Sequence, residues 1–294
     1  MNKNLQQKIS VGVPTYNSSK YLSACLKSLE NLETVNEIII SDDGSTSHEL
    51  KKTEEIIKIF SKKLPIVFIK NLNNQGAFIN KYNLINASTN EYIYILDSDN
   101  IAGKNLDKII KKHILNQNNE KYIIQPNIMY QFWENPIISK HLGKLIQKYK
   151  VKFFNNDKIF DIKFVKNSLL HNSGTYDLKK IDPNFNFSKI NKDFDDNLQS
   201  KWIFWVLNCG NFIVNKKMIT KVAEKGFNYN KSTLSVDAIV FTYLWLESGY
   251  QIKILKNFYH HHRKREDSIS YITREESVDA IVFFIKKVLN FTSN

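Results

Sequence analysis

The chain has 294 residues and a formal net charge of +13 at pH 7, and 42% of its residues are hydrophobic. This length and apolar content suffice for one large domain or two small ones with a packed core, and they exclude an intrinsically disordered chain. The positive charge favours anionic partners, namely phosphorylated ligands, nucleic acid or an anionic membrane surface.

No segment has the composition of a secretory signal or a membrane span. The first seven residues, MNKNLQQ, are polar, and no run approaches the ~18 apolar residues that a membrane helix needs. Cys25 and Cys209 lie far apart in no metal-binding spacing, which favours two buried thiols in a reducing compartment. The lysines are scattered without a nucleic-acid-binding motif, so we expect no nucleic-acid partner. These features together predict a cytoplasmic protein.

Strand and helix signals alternate over the first hundred residues. Short segments rich in β-branched and aliphatic residues predict four strands, at 9–13, 37–41, 66–70 and 92–96. Helices are predicted between them: over 19–30, after the turn DDGST, and from NNQGA to about residue 87. Strands that alternate with helices predict a mostly parallel α/β sheet with helices on both faces.

Polar clusters follow three of these strands where each strand ends, at 14–17, 42–45 and 97–100. Ligands bind outside the carboxyl ends of the strands in such sheets, so we expect one site at this edge. Asp97 and Asp99 are two positions apart. On a strand both carboxylates would point the same way, and they would repel each other unless a positive group lay between them.

Regular signals weaken over 117–200, which we interpret as irregular structure without a linker to a second domain. They return as a helix over 235–247 and a strand over 250–255. A final amphipathic helix is predicted from a set of apolar residues at helical spacing: Val278, Ile281, Val282, Ile285, Val288 and Leu289.

Four segments, in this order and spacing, resemble the family 2 glycosyltransferases of the GT-A fold: ISVGVPTYNSSKYLSACLKSL, EIIISDDGST, NNQGA and EYIYILDSDN. The resemblance implies a GT-A, Rossmann-like sheet and an inverting enzyme that uses a nucleotide-diphospho sugar. It divides a single domain over 1–294 into a nucleotide-sugar-binding half at 8–110, an insertion at 117–200, and an acceptor side with the C-terminal helix at 201–294. Within the last part, GNFIVNKKM and the helix that contains Asp237 resemble acceptor-side elements of the family.

The resemblance also implies a nucleotide site, made by Pro14, Thr15, Tyr16, Asp43, Lys81, Asp97 and Ser98. Tyr16 would offer an aromatic face to the base, and Asp43 would accept a hydrogen bond from it. Asp42 has the alternative of bonding the backbone of its own turn. Lys81 stands where the family often has arginine and would keep a positive charge near the donor, whereas Tyr82 replaces an asparagine.

The segment Asp97-Ser98-Asp99 matches the Asp-x-Asp motif of the family, which implies Mn²⁺ or Mg²⁺ bound between an aspartate and the diphosphate. Asp99 is the expected direct metal ligand, while Asp97 would contact the ribose or metal-bound water. A histidine after the last sheet strand often completes such a site. His260, His261 and His262 are the alternatives, and we choose His262. The basic residues that follow, 263–265, are alternatives for binding the diphosphate.

Asp237 is the expected general base, because the family has an aspartate near the start of the corresponding helix. The preceding residue is usually glutamate and is Val236 here. The alternative is a carboxylate that only stabilises the helix N-terminus. Rival carboxylates are Asp193, Asp195 and Asp196.

The resemblance thus implies a metal-dependent hexosyltransferase that uses a UDP-sugar and acts on a hydroxyl of a glycan or lipid-linked acceptor in bacterial surface polysaccharide biosynthesis. One alternative is a sugar nucleotidyltransferase, although VPTYNSS lacks the glycines of a phosphate loop. The other is an inactive module that binds nucleotide sugars or an anionic surface. The final helix, with Lys286 and Lys287, either packs against its own domain or makes peripheral contact with an anionic membrane.

Overall fold

The computed structural model describes residues 8–115, 117, 119–133, 148–171, 206–264 and 274–290. These residues contain the ten strands of one sheet: β1 Ile9–Thr15, β2 Val35–Asp42, β3 Ile66–Lys70, β4 Tyr92–Ile95, β5 Ile101–Ala102, β6 Tyr122–Trp133, β7 Lys148–Lys152, β8 Lys158–Phe160, β9 Phe212–Asn215 and β10 Gln251–Lys264. The same part of the chain contains eight α-helices: α1 Ser19–Lys27, α2 Ser47–Phe60, α3 Ala77–Ala87, α4 Leu106–His113, α5 Ile162–His171, α6 Lys216–Ala223, α7 Asp237–Glu247 and α8 Arg274–Leu289.

The sheet has the strand order β3-β2-β1-β4-β9-β6-β10-β5, with β7 paired to β6 and β8 paired to β10. Strands β1 to β4 are parallel to one another, and β6 and β10 are parallel to each other. Strand β9 runs antiparallel between β4 and β6. The carboxyl ends of β1, β2, β4, β6 and β10 therefore lie at the same edge of the sheet.

Helices cover both faces of the sheet, as predicted. On one face, α1, α2 and α4 bury residues such as Leu22 and Ile110 against Val11 and Val13. On the other, α3, α5, α6, α7 and α8 form the second core. The small residue Gly12 lets α3 pack closely on β1, because a Cβ at this position would lie 2.0 Å from Leu84 Cδ2.

The first four predicted strands correspond to β1, β2, β3 and β4, and the fold class is confirmed. Residues 97–100, in contrast, form a turn in which Asn100 N donates to Asp97 O at 2.9 Å. The expectation that Asp97 and Asp99 point the same way from a strand is therefore wrong, since β4 ends at Ile95.

The interpretation of 117–200 as irregular is wrong for its described parts, which contain β6, β7, β8 and α5. Strand β6 was missed because Gln125, Pro126 and Asn127 interrupt its apolar pattern. The structure accommodates the two buried amides with hydrogen bonds to backbone carbonyls, from Gln125 to Val206 O and from Asn127 to Phe154 O.

Strand β10 is longer than predicted, and α8 packs on its own domain, which was one of the two alternatives for the final helix. Strand β10 continues through His260 to Lys264, because it pairs with β6 on one side and β5 on the other, so the histidines are not in a loop. On α8, Ile281, Phe284 and Val288 are buried in the second core, while Lys286 and Lys287 are exposed. None of the helices within the described ranges is both long enough and apolar enough to cross a membrane.

Candidate active site

The turn that follows β4 is held from two neighbouring strands. Asp97 N donates to Asn211 Oδ1 at 2.9 Å, just before β9. From β10, Arg263 Nε donates to Asp99 O at 3.0 Å, and Arg263 N donates to Asn100 Oδ1 at 3.1 Å. The backbone of residues 97–100 is therefore fixed before any ligand binds.

Lys81 is the positive group beside this turn. Its Nζ lies 2.9 Å from Asp97 Oδ1 and 2.6 Å from Asp237 Oδ2, and its side chain is only 5% exposed. The carboxylates bridged by a cation are thus Asp97 and Asp237. Burial alone would lower the pKa of Lys81, but the charges of Asp237 and Asp97 outweigh it and raise that pKa above its ordinary value. Lys81 is therefore protonated at neutral pH.

Asp237 lies where the sequence predicted it, at the first residue of α7. Its side chain is 17% exposed, yet Oδ2 is buried and faces Lys81. The exposed fraction therefore belongs to the rest of the side chain. The second carboxylate oxygen, Oδ1, is not the one that contacts Lys81, and it is the atom that a role as general base would use.

Gly210 forms one wall of this charge cluster. A Cβ at this position would lie 2.8 Å from Asp97 Oδ2 and 3.5 Å from Lys81 Nζ. The absence of a side chain allows the backbone before β9 to close over the ion pair. Asn211, which bonds Asp97, follows directly, and sequence reasoning missed both residues. The only signal was the dipeptide Gly-Asn in front of a β-branched strand.

The two aspartates that end β2 have different partners. Asp42 accepts hydrogen bonds from Ser45 N at 2.9 Å and Ser45 Oγ at 2.6 Å, which is the local turn that the sequence offered as its alternative role. Asp43 is buried and accepts from Gln75 N at 3.0 Å and Gly76 N at 2.9 Å. Burial raises the pKa of Asp43 despite these donors.

Asp43 thereby anchors the start of α3, the helix that carries Lys81. A third donor, Asn71 Nδ2, lies 3.3 Å from the same carboxylate. The predicted contact between Asp43 and a nucleotide base is not tested by these bonds. They do show that Asp43 also has a structural task.

Buried hydroxyls connect the end of β1 to the Asp97 turn. Thr15 Oγ1 and Ser18 Oγ are 2.8 Å apart, and Ser18 Oγ and Ser98 Oγ are 2.9 Å apart. Pro14 and Tyr16, on either side of Thr15, are half-buried at this edge. The structure therefore brings all seven predicted nucleotide-site residues to the carboxyl ends of β1, β2 and β4 or to the adjoining helix α3.

The three histidines of β10 are divided between the two faces of the strand. His260 and His262 share a face, with ring centroids 5.9 Å apart. His261 lies on the other face and stacks on Tyr130 at 5.3 Å. Asn211 Nδ2 is 3.5 Å from His260 Nε2, so the same asparagine contacts Asp97 and His260.

Burial lowers the pKa of His260 well below its ordinary value, and the neighbouring histidines add to this effect. The pKa of His262 is also lowered, by burial first and then by Lys264, although Asp97 opposes the shift. Both imidazoles are therefore neutral at pH 7 and able to bind a metal. Nδ1 of each is buried without a hydrogen-bond partner in the described structure.

In the described ranges, no group of three or more His, Cys, Asp or Glu side chains lies close enough together to hold a metal ion. A divalent ion would therefore need oxygen ligands from a bound diphosphate in addition to protein side chains. The neutral imidazole of His262, with its unpartnered Nδ1, and the acidic turn beside it fit such a shared site.

Arg263 is not available as a simple diphosphate ligand. It is 5% exposed, and its guanidinium lies 4.7 Å from the ring centroid of Tyr21 and 4.6 Å from that of Phe132. Its Nε bonds the turn at Asp99 O. The rival carboxylates Asp193, Asp195 and Asp196, and the alternative Arg265, lie outside the described residues.

The family model described as Glycosyl transferase family 2 matches residues 10–176 of the chain. Over 150 residues the chain is 35% identical to an uncharacterized glycosyltransferase of Methanocaldococcus jannaschii, a match that covers 49% of this chain and 48% of the relative. Over 114 residues it is 32% identical to the abequosyltransferase RfbV of Salmonella typhimurium, a match that covers 37% of this chain and 33% of the relative. The chain spans about half the length of the first relative and a third of the second.

Solved structures of TarS from S. aureus have a similar fold. The complex of TarS residues 1–349 with UDP-GlcNAc has a TM-score of 0.57 and 17% sequence identity, covering 98% of this chain and 68% of that one. The complex with UDP has a TM-score of 0.51 and 16% identity, and the match covers 96% of this chain and 70% of the TarS chain. At this identity the similarity concerns the fold alone.

Proposed function

The chain belongs to glycosyl transferase family 2, and on this premise we propose that it transfers a sugar from a nucleoside-diphosphate sugar to a hydroxyl group of a glycan or lipid-linked acceptor. The observation that carries the proposal is the cluster of Asp97, Lys81 and Asp237, with distances of 2.9 and 2.6 Å. It joins the turn at the end of β4 to a partly exposed carboxylate at the start of α7. These are the two parts that a donor site and an acceptor base require.

The donor is proposed to be a UDP-sugar. Tyr16, which is half-buried, and Asp43 lie at adjoining strand ends and are proposed to contact the nucleotide base, with Pro14 and Thr15 alongside. TarS, which shares the fold, has been crystallised with UDP and UDP-GlcNAc, and this supports the choice of donor class. Ser98 and Asp97 would contact the donor from the turn after β4.

Asp237 is proposed to act as the general base. Oδ1 of Asp237 would take the proton of the acceptor hydroxyl while the hydroxyl oxygen of the acceptor attacks the anomeric carbon. The bond from this carbon to the diphosphate breaks as the new bond forms, and the nucleoside diphosphate leaves with the electron pair. Attack from the face opposite the leaving group inverts the anomeric configuration.

A divalent cation, Mn²⁺ or Mg²⁺, is proposed to be held by Asp99 and His262, where it would stabilise the charge that develops on the leaving diphosphate. The contribution of the chain is to keep these groups in place. Arg263 bonds the backbone of Asp99, and Asn211 links His260 to Asp97.

Acceptors in surface polysaccharide biosynthesis and a peripheral position at the inner face of the cell membrane belong to the same proposal. The apolar residues Ile281, Phe284 and Val288 of α8 are already used in the core. Contact with an anionic bilayer would therefore rest on charge, with the exposed Lys286 and Lys287 on this helix.

The test is a panel of nucleotide sugars assayed for metal-dependent hydrolysis and transfer, with UDP binding measured by calorimetry. We expect UDP with Mn²⁺ to raise the melting temperature and at least one UDP-sugar to be turned over. Asp237→Asn should lose transfer but bind UDP normally, whereas Asp99→Ala should lose metal-dependent UDP binding. Glu224→Gln, at an exposed carboxylate near the start of a short 3₁₀ helix, is the matched control. Normal turnover by Asp237→Asn would refute the base assignment.

A further inference from the structure

We infer that Lys81 is a positioning residue that fixes the general base and ties its position to the turn that binds the donor. This inference rests on the proposed function and concerns the same site. It gives Lys81 a task beyond supplying charge to the donor, because its ammonium group contacts the proposed base directly, at 2.6 Å from Asp237 Oδ2.

The first argument is connectivity. Asp97 follows β4, Lys81 lies on α3 and Asp237 begins α7, so three separate elements meet at one ammonium group. One lysine and two carboxylates leave a net charge of −1, and removal of Lys81 would leave two like charges close together. Their repulsion would move the carboxylates apart or favour protonation of one of them. Either change would leave Asp237 without a carboxylate that is both ionised and correctly oriented.

The second argument is rigidity. α3 is anchored at its start by Asp43, which accepts from Gln75 N and Gly76 N. Beside Lys81, the buried Asn80 accepts from Ser41 Oγ at 2.6 Å and donates to Ser41 O at 3.0 Å. The backbone from which the Lys81 side chain extends is therefore fixed to β2.

The other end of Lys81 is fixed by its two carboxylates, 2.9 Å and 2.6 Å from Nζ, and lies near Gly210, where an added Cβ would be 3.5 Å from Nζ. A lysine whose backbone and ammonium group are both fixed keeps the two carboxylates at a constant separation, whereas an exposed lysine would sample many rotamers.

The third argument is that the two carboxylate oxygens of Asp237 have different surroundings. Oδ2 is buried against Lys81, while the side chain as a whole is 17% exposed. Lys81 thus occupies the oxygen that no substrate can reach and orients the carboxylate so that the other oxygen faces the acceptor. Because the same ammonium group bonds Asp97, a shift of the donor-binding turn is passed to the base.

The experiment compares Lys81→Met with Lys225→Met, a control at an exposed lysine that bonds Ser248 Oγ. For each variant, we would measure UDP affinity by calorimetry and the single-turnover transfer rate at saturating donor. We expect Lys81→Met to lower the transfer rate about 100-fold, the lower end of what a positioned base contributes. UDP affinity should fall by less than the transfer rate, about tenfold at most, because Lys81→Met leaves the other proposed donor contacts in place.

The opposite pattern would overturn the inference. If Lys81→Met weakens UDP binding and transfers at the wild-type rate once donor is saturating, Lys81 serves the donor alone and the proposed function stands. If the wild-type protein neither binds UDP nor turns over any nucleotide sugar, the proposed function and this inference both fail.

A second comparison covers the case in which Lys81→Met does not fold. The double variant Lys81→Met/Asp237→Asn retains only one carboxylate of the cluster, Asp97, so that like-charge repulsion is removed. If Lys81 acts through Asp237, the double variant should have the same residual transfer as Asp237→Asn alone. A further loss of about tenfold or more would show an independent role and overturn the inference.

Discussion

Arg263 Nε donates a hydrogen bond to the carbonyl oxygen of Asp99 at 3.0 Å, so strand β10 holds the acidic turn that follows β4. The side chain that makes this bond is buried beside Tyr21 and Phe132. A buried guanidinium with an aromatic environment is costly to replace, because lysine has neither its planar fork nor its weak hydration. The proposed metal ligand Asp99 thus depends on a residue that need not touch any substrate.

Arg263→Lys should therefore damage both stability and donor binding. Loss of the charged hydrogen bond and of the aromatic contacts should lower the free energy of unfolding by about 1–3 kcal/mol. Loosening of the Asp99 turn should weaken metal-dependent UDP binding about tenfold. Urea denaturation and calorimetry measure the two effects, with Lys256→Met, at an exposed position of the same strand, as the control. Unchanged UDP affinity in Arg263→Lys would contradict this positioning role.

Gly210→Ala should inactivate the site with little loss of stability. The added methyl group would lie 2.8 Å from Asp97 Oδ2, which is too close for an ordinary contact, so the ion pair with Lys81 must shift. We expect transfer to fall at least about tenfold, since misplacement of a catalytic group by about 1 Å can slow a reaction about 100-fold.

The matched control for Gly210→Ala is Gly249→Ala. A Cβ at Gly249 meets nothing within 4 Å, but the residue has φ +82°, so alanine is strained there. It should lose about 1 kcal/mol of stability and keep full transfer activity. Transfer of sugar by Gly210→Ala at the wild-type rate would contradict the prediction that the close approach of Gly210 to Asp97 matters for activity.

The grouping of polar residues at the carboxyl edge of the sheet was predictable because its signals are local. Each strand end near Pro14, Asp43 and Asp97 follows a short apolar run, and parallel strands must bring those ends together. The position of Asp237 at a helix start was visible for the same reason, as an acidic residue before an apolar segment.

The contacts between these elements were not predictable in the same way. No spacing rule links Lys81 to Asp237, which are far apart in the chain and meet only because α3 and α7 pack on the same face of the sheet. Arg263 was one of three alternatives for binding a diphosphate. It turns inward because β10 extends beyond the predicted strand, which ended at 255. Long-range pairing decides both cases, and sequence periodicity carries no information about it.

The two cysteines should report on opening of the site. The expectation of two buried thiols holds for Cys25 and is wrong for Cys209, which is only half-buried. Removal from water raises the pKa of Cys209 to about 12 and that of Cys25 further still. Cys209 Sγ contacts Asn211 O at 3.2 Å, and Cys25 Sγ contacts Asp97 O at 4.0 Å. The raised pKa leaves little thiolate at pH 8, so native protein should react with iodoacetamide at least ~100-fold more slowly than denatured protein.

The rate of labelling should rise about tenfold per pH unit above pH 8, because only the thiolate reacts. UDP with Mn²⁺ should slow it further if it closes the surrounding backbone. Cys25→Ser and Cys209→Ser assign the signal to each thiol, read by mass spectrometry. Fast labelling of native Cys209 at pH 8 would contradict its raised pKa.

His262→Ala should remove the metal-dependent part of UDP binding, whereas His261→Ala should not. The two residues are neighbours on β10 but face opposite sides: His262 shares its face with His260, and its buried Nδ1 has no partner in the described structure, while His261 stacks on Tyr130. Truncation of His261 therefore controls for general damage to the strand. Calorimetric titration of UDP with Mn²⁺, and again with EDTA, separates the metal-dependent term. We expect that term to fall at least about tenfold in His262→Ala, as for loss of a metal ligand or its immediate support. An equal loss in both variants would mean that the strand, and not the imidazole of His262, determines metal binding.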